Sequence, residues 1–379
     1  MPKVVISGYY GFGNCGDEAM LFAIITLLRR RVPDLSVAVL SERPRETARD
    51  FGVQAVPRRN VRLILRELRD ADLLLSGGGN LFQDVTSFRS VFYYAAIVVL
   101  ARMLRKKICI YGQGIGPLNH QASRCLVGWV IRMANIITLR DEISLQELAA
   151  IGVSKPAHVM ADPVFGLGKE LADWERGRAL LEAAGVYDGN ESAPAASKEP
   201  GGAEHKKTPV IGISLRRWPD LGASLESVAR LADSMASEGW KVVFVPLQPN
   251  DVAVLNRVRE KMRLPAVIMD NIRGFRDLMA IMTHLDFCAG MRLHFLIFAA
   301  MFGVPAVGLS YDPKVARFMD QVGMPVVSVS EVTAEKLIHV AGALLADNDL
   351  ARERLEKRVT ELKARAEENA DLVVALINS

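Results

Sequence analysis

Two blocks of short apolar runs alternating with helix-length stretches constrain the fold of this chain more than any other feature. In the first block the apolar runs fall at residues 4–7, 36–40, 73–76, 108–112 and 136–138, and helix-like stretches lie at 17–31, 61–69, 90–105, 122–133 and 144–150. Uninterrupted apolar runs suit strands buried on both faces, and strands separated by helices pair in parallel. The second block places strands at 210–215, 241–246, 266–269, 287–289, 306–309 and 326–327. Its helices fit 225–238, 251–261, 273–283, 293–302 and 313–322. Between the blocks, residues 189–208 read GNESAPAASKEPGGAEHKKT, with almost no large apolar side chain, as a flexible linker or surface loop does. A charged amphipathic helix closes the chain over 334–376, broken near 347–349. The expected architecture is α/β: two Rossmann-like lobes with a central cleft. The first lobe covers 1–168, a connecting helix and linker 169–209, the second lobe 210–333 and a helical tail 334–379. A chain of 379 residues is long enough for two such domains.

Charge narrows the partners. A net charge of +4, spread along the chain, gives no reason to expect nucleic-acid binding. It does suit anionic substrates or a peripheral contact with an anionic membrane surface. Cys15, Cys109, Cys125 and Cys288 form no CxxC pair and no metal pattern, so reduced thiols are expected, with Cys109 buried. No charged and apolar leader precedes the first strand, and no stretch reaches the roughly 18 apolar residues of a membrane span. Residues 91–100 come nearest, stop at Arg102, and read as a buried helix rather than a membrane-surface one. A cytoplasmic protein is expected.

The strand ends carry the chemistry. After the first strand, Gly11, Gly13 and Gly16 match the G-x-G-x-x-G spacing of dinucleotide sites, with Glu42 as the ribose acid. Gly8-Tyr9-Tyr10 lengthen the turn, however, and Asp17 and Glu18 stand at the helix start, where they would cap its N–H groups and repel a pyrophosphate. The loop instead suits a sugar or phosphate approached by backbone at Gly11, Gly13 and Asn14, with Asp17 accepting a hydroxyl proton. The next loop, Ser76-Gly77-Gly78-Gly79-Asn80-Leu81-Phe82-Gln83-Asp84, offers bare backbone at Gly78 and Gly79 and polar groups at Asn80, Gln83 and Asp84. Gln113 lies among the glycines after the fourth strand, and Arg140 follows the fifth. Glycines at several consecutive strand ends cost backbone entropy and add no packing, which favours close approach of a ligand over turn geometry alone.

In the second block Arg216-Arg217 ends the first strand; a buried strand carries guanidinium there only if it meets an anion, and one of the pair serves the surface. Gln248 follows the second strand. Gly290-Met291-Arg292-Leu293-His294 joins an apolar strand to an apolar helix. It places Arg292 and His294 by a helix N-terminus, which favours anions, and supplies a side-chain type that exchanges protons near neutral pH.

In order, G-Y-Y-G-x-G-N-x-G-D-E, S-G-G-G-N-L-F-Q-D, G-Q-G-I-G-P, R-D-x-x-S, A-D-P-x-F, S-L-R and G-x-R-L-H-x-x-I-x-A resemble the polysaccharide pyruvyltransferase family of the CsaB type. The resemblance covers nearly the whole chain apart from the linker and tail. It implies a fold like that of two-lobed GT-B glycosyltransferases and phosphoenolpyruvate as donor. It implies a pyruvyl ketal across two hydroxyls of one sugar as product. It assigns donor binding to Arg292, Leu293 and, by position, Arg216, with His294 in the same motif. The implied acceptor is a cell-wall precursor, in bacterial relatives a lipid-linked disaccharide containing N-acetylmannosamine, met at the inner face of the membrane. His294 is the expected acid and Asp17 the expected base, with no cofactor and no metal. A GT-B glycosyltransferase using a nucleotide-sugar donor and a non-catalytic sugar-binding protein are the alternatives.

Overall fold

The structure, a computed structural model, describes residues 1–85, 88–187, 208–219 and 222–379. The polar stretch expected to be a linker lies, apart from Thr208, outside the described residues. The chain divides into two compact units, one of residues 1–168 with 361–379, the other of residues 169–360.

The first unit holds seven parallel strands: β1 (Lys3–Ser7), β2 (Ser36–Ser41), β3 (Gln54–Pro57), β4 (Leu73–Gly77), β5 (Lys107–Gln113), β6 (Ile136–Leu139) and β7 (His158–Val159). Their order across the sheet is β3-β2-β1-β4-β5-β6-β7. The central strands read as unbroken apolar runs because helices cover both faces. On one face α3 (Val61–Asp70), α4 (Phe88–Met103), α5 (Gln121–Ile131) and α6 (Glu142–Ala150) pack Ile64, Val98, Val127 and Leu148 onto the strands. On the other lies α1 (Cys15–Arg31), which buries Leu21, Ile24 and Leu28. Asn60 and Asp141 cap α3 and α6, each accepting a backbone N–H from the first turn.

The second unit has six parallel strands: β8 (Val210–Ser214), β9 (Lys241–Phe244), β10 (Val267–Ile268), β11 (Phe287–Gly290), β12 (Ala306–Ser310) and β13 (Val326–Ser328). Their order is β10-β9-β8-β11-β12-β13. Its helices include α7 (Trp174–Ala183), α8 (Gly222–Ser237), α9 (Asp251–Arg259), α10 (Phe275–Met282), α11 (Leu293–Phe302), α12 (Pro313–Gln321) and α13 (Ala334–Ala346). Gly303, with φ +72°, ends α11 in the left-handed conformation that glycine adopts without strain.

Three features depart from the sequence reading. Strands β3 and β7 and helix α2 (Pro44–Phe51) were not expected; β7 has two residues, and α2 buries only Thr47. Residues 169–187 are part of the second unit rather than a connector: α7 packs on α10, and Arg176 pairs with Asp277 at 3.1 Å. Nor is 334–379 a separate tail. Helix α13 buries Leu337 and Ala341 in the second unit's core, while the last helix, α14 (Asn348–Asn378), buries Ala370, Val373 and Leu376 beside α1. Arg31 binds Glu367 and Asp371 from that helix, and Lys107 Nζ donates to the Leu376 carbonyl at 3.0 Å. The break expected near 347–349 falls between α13 and α14.

Candidate functional site

In the first unit strand order reverses between β1 and β4. Ligands of open α/β sheets settle outside the strands' carboxyl ends at such a point. The two loops that leave these strands are the glycine-rich ones. The Tyr10 hydroxyl donates to the Gly77 carbonyl at 2.6 Å and ties the first loop to the second. Gly11 has φ +81°, and a Cβ there would lie 2.2 Å from Ser41 Oγ, so the loop admits no side chain at this position. Gly78 and Gly79 also have positive φ, +72° and +81°. A Cβ on Gly79 would stand 3.3 Å from Asp17 Oδ1, so Asp17 lies against the bare backbone of the second loop. Gly13 is exposed, with open space around it.

Neighbouring polar groups divide into those that build the loops and those that line them. Asn14 caps α1, accepting from the Gly16 N–H at 3.0 Å. Glu18 turns back and accepts the Gly11 N–H at 2.7 Å. Burial pushes its pKa up to about 7; the Gly11 bond pulls it down and the Asp17 charge adds to the rise. Asp84 accepts from the Asn119 and His120 N–H groups at 2.8 and 2.9 Å. Burial works against its charge, yet these bonds hold its carboxyl below the ordinary range. Gln83 Oε1 accepts from the Val85 N–H, and the buried Gln113 donates to Ser76 Oγ at 3.1 Å. Asn80 donates to the Gly116 carbonyl at 2.7 Å. Arg140, buried, lies 3.8 Å from both Asp141 and Asp162, and a Cβ on Gly114 would meet its Nη2 at 2.9 Å. Arg58, which no motif marked, is buried against the rings of Tyr93 and Phe12, at 4.1 and 5.0 Å, and Phe12 stacks on the exposed Tyr9.

In the second unit the order reverses between β8 and β11, the strands that lead into Arg216 and Arg292. Gly290 keeps the β11 end tight: a Cβ there would lie 2.9 Å from the Phe295 ring and 3.2 Å from the Ser214 carbonyl. Arg216 is half-buried and Arg217 exposed. Arg216 Nη1 donates to the Tyr311 hydroxyl at 2.9 Å, and its guanidinium stands 5.0 Å from the Tyr311 ring and 5.6 Å from that of Trp218. Tyr311 follows β12, so the contact spans the end of β11. Arg216 forms no ion pair among the described residues, and its buried Nε has no acceptor there.

Arg292 differs. Its Nε donates to Asp251 Oδ2 at 3.0 Å, and its Nη2 binds Asp251 Oδ1 and, at 3.0 Å, Gln248 Oε1. Asp251 is buried and also accepts the Leu247 and Gln248 N–H groups. The fork expected to be open to a ligand is therefore closed on a carboxylate at two of its nitrogens. Nη1 has no acceptor among the described residues. Arg292 precedes α11 in extended conformation and gives that helix no side-chain cap. Leu293 is buried in the first turn, and His294, half-buried, is the next residue.

Sequence reasoning missed Asp251, which stands at the start of α9. Tyr311, which follows β12, was missed as well. Nothing in either motif signals the pairing, because it joins residues 41 apart in sequence.

Residues 14–313, which include Asp17, the second glycine loop and the Arg292–His294 segment, match the model of the polysaccharide pyruvyl transferase family. The chain belongs to this family. It is 21% identical to the amylovoran biosynthesis protein AmsJ of Erwinia amylovora over 375 residues, 85% of this chain and 86% of that one. The family and this relative place it among transferases of polysaccharide biosynthesis. Solved structures similar to the whole chain include MnaA of S. aureus, determined with UDP (TM-score 0.67, 12% identity, 98% of that chain). They also include a glycosyltransferase of Rickettsia africae (0.65, 10%, 98%) and HepE of Anabaena, determined with UDP and glucose (0.62, 13%, 98%). Each comparison covers 100% of this chain. At such identities they show the fold, a two-lobed α/β architecture of the GT-B kind.

Proposed function

We propose that this pyruvyltransferase moves the pyruvyl group of phosphoenolpyruvate onto two hydroxyls of one sugar in a cell-wall polysaccharide precursor. The observation that carries the reading is Arg216: a half-buried guanidinium at the strand-order reversal of the second unit, with no carboxylate partner among the described residues. A guanidinium withdrawn from water favours an anion. Arg292 Nη1 and the uncapped first turn of α11 supply further donors on the neighbouring strand end. Two anionic groups on one small donor, a carboxylate and a phosphate, match this set better than a neutral sugar does.

His294 donates a proton to the methylene carbon of phosphoenolpyruvate, and C2 gains oxocarbenium character. A sugar hydroxyl adds to C2. The C2–O bond to phosphate breaks, and a second hydroxyl of the same sugar closes the ketal. Of the two hydroxyl protons lost, one replaces that given to the new methyl group and the other leaves on phosphate. Asp17, against the bare backbone of Gly79, is the candidate base for the acceptor hydroxyl. The arginines and helix N–H groups meet the charge on the donor, so the scheme calls for no cofactor and no metal. The resemblance in motifs supports a lipid-linked N-acetylmannosamine-containing disaccharide as acceptor and a reaction on the cytoplasmic side of the membrane.

The test is turnover with phosphoenolpyruvate and candidate sugars. Release of inorganic phosphate that depends on the sugar, with one pyruvyl ketal gained per acceptor, is the expected result. Release of nucleotide from a nucleotide-sugar, with phosphoenolpyruvate inert, would replace this reading with glycosyl transfer. Sugar binding with neither release would leave a non-catalytic protein.

A further inference from the structure

Helices α4 and α5 lie side by side on one face of the first sheet. Their inner residues, Val91, Val98, Val127 and Ile131 among them, fill the core. Their outer surface is not polar, as a solvent-facing helix surface ordinarily is. Phe88, Phe92 and Met103 on α4 are 40%, 44% and 73% exposed, and Trp129 on α5 is 51% exposed. Phe88, Phe92 and the exposed Ala96 recur every fourth residue, as do Cys125 and Trp129, so each helix presents an apolar stripe outward. Large apolar side chains exposed singly need no explanation. Here five of the twelve found among the described residues fall within 85–129, which is clustering.

The charge of the segment that carries these stripes has one sign. From Val85 to Arg140 the sequence contains neither Asp nor Glu, although the chain has 43 acids against 47 bases. Arg89, Arg102, Arg105 and Arg132 are exposed on or beside the two helices. Apolar stripes with Phe and Trp, flanked by arginines and free of carboxylates, are the composition of helices that lie in a bilayer interface. From these observations we infer that the outer face of α4 and α5 docks on an anionic lipid surface. A second copy of the chain fits less well, because two such faces would bring arginines together with no carboxylate to meet them. No helix among the described residues is long and apolar enough to cross a membrane, and the inner side of α4 is held in the core. The docked face lies on the lipid surface, and the inner residues of α4 stay in the core. Docking adds a membrane to the reaction proposed above, but it requires no turnover, so either can fail without the other.

The test is sedimentation of the full chain with vesicles of phosphatidylcholine, with and without phosphatidylglycerol. Binding is expected only with phosphatidylglycerol, and high salt should weaken it. Two double variants on exposed positions probe the face: Phe92→Ser with Trp129→Ser, and Arg102→Glu with Arg132→Glu. Each pair should reduce partitioning roughly tenfold or more, with circular dichroism confirming the fold. If the apolar pair fails to fold, the arginine pair decides. Equal binding to both vesicle types, no binding, or binding that neither pair alters would overturn the inference. So would a dimer in analytical ultracentrifugation that the apolar pair dissolves, because a second copy would then cover the face.

Discussion

The two units place opposite chemistry on the same topological feature. Each is a parallel sheet whose strand order reverses once, and in each the loops at the reversal carry the candidate residues. In the first unit those loops are glycines of positive φ with Asp17 and Glu18 beside them; in the second they carry Arg216, Arg292 and His294. Bare backbone and carboxylates suit hydroxyl groups, whereas guanidinium and helix N–H groups suit anions. The topology fixes where a ligand meets the sheet, and a few side chains at the strand ends fix its charge. Two carboxylates near these loops are also held differently. The buried Asp251 is neutralised by a guanidinium, while the half-buried Glu18 accepts a backbone N–H.

The largest expected effect separates the two arginines of the second unit. Arg292→Ala leaves Asp251 buried without its cation, and breaking a buried pair in this way costs about 3–5 kcal/mol. Arg216→Ala removes no carboxylate's partner, so it should leave the melting temperature nearly unchanged. It should instead weaken phosphoenolpyruvate binding by roughly ten- to a hundredfold, the worth of a lost charge-assisted hydrogen bond. Thermal melts and donor titrations on both variants make the comparison. An Arg292→Ala protein as stable as the parent would show that the Asp251 pair is not formed in solution. Unaltered donor affinity in Arg216→Ala would remove the anion from the second unit.

Next in size is His294. Its alanine variant should lose turnover by roughly a hundredfold or more, because proton transfer contributes in the transition state. The KM for phosphoenolpyruvate should change little. Near-normal turnover with saturating donor, in a protein folded by circular dichroism, would make the histidine a structural residue and move the search for the acid to the first unit.

Alternation of apolar runs and helical stretches made both sheets legible, since each central strand is buried on two faces and reads as an unbroken apolar run. It could not reveal β7, which is two residues long, nor that Ala370, Val373 and Leu376 pack beside α1. A helix's period shows which side is apolar but not which core takes it. The place of Arg292 and His294 between a strand end and a helix start was legible, because the two elements adjoin them in sequence. Asp251 was not, since its meaning depends on a loop 41 residues away. The tasks of Asn14 and Asp84 were likewise visible only once their oxygens had partners: both cap or fasten backbone.

The smallest effect tests the carboxylate of Glu18. Burial lifts the Glu18 pKa from 4.5 to about 7, so folding opposes its ionisation. Below pH 4.5 the group is protonated in folded and unfolded chains alike and has no net effect. Between pH 4.5 and 7 the unfolded chain ionises first, and stability is lost over that window. Above pH 7 both forms are charged and the penalty stays constant, at most about 3 kcal/mol by the size of the shift and about 1–2 kcal/mol once partial solvent access is allowed for. Glu18→Gln retains an oxygen for the Gly11 N–H but carries no charge. It should therefore be more stable than the parent by about 1–2 kcal/mol at pH 8 and indistinguishable from it at pH 4, as measured by urea unfolding at both pH values. A gain of the same size at both would mean that the substitution acts through packing rather than through the buried charge. A loss at pH 8 would mean that the charged carboxylate is compensated by the loop it holds, as Asp251 is compensated by Arg292.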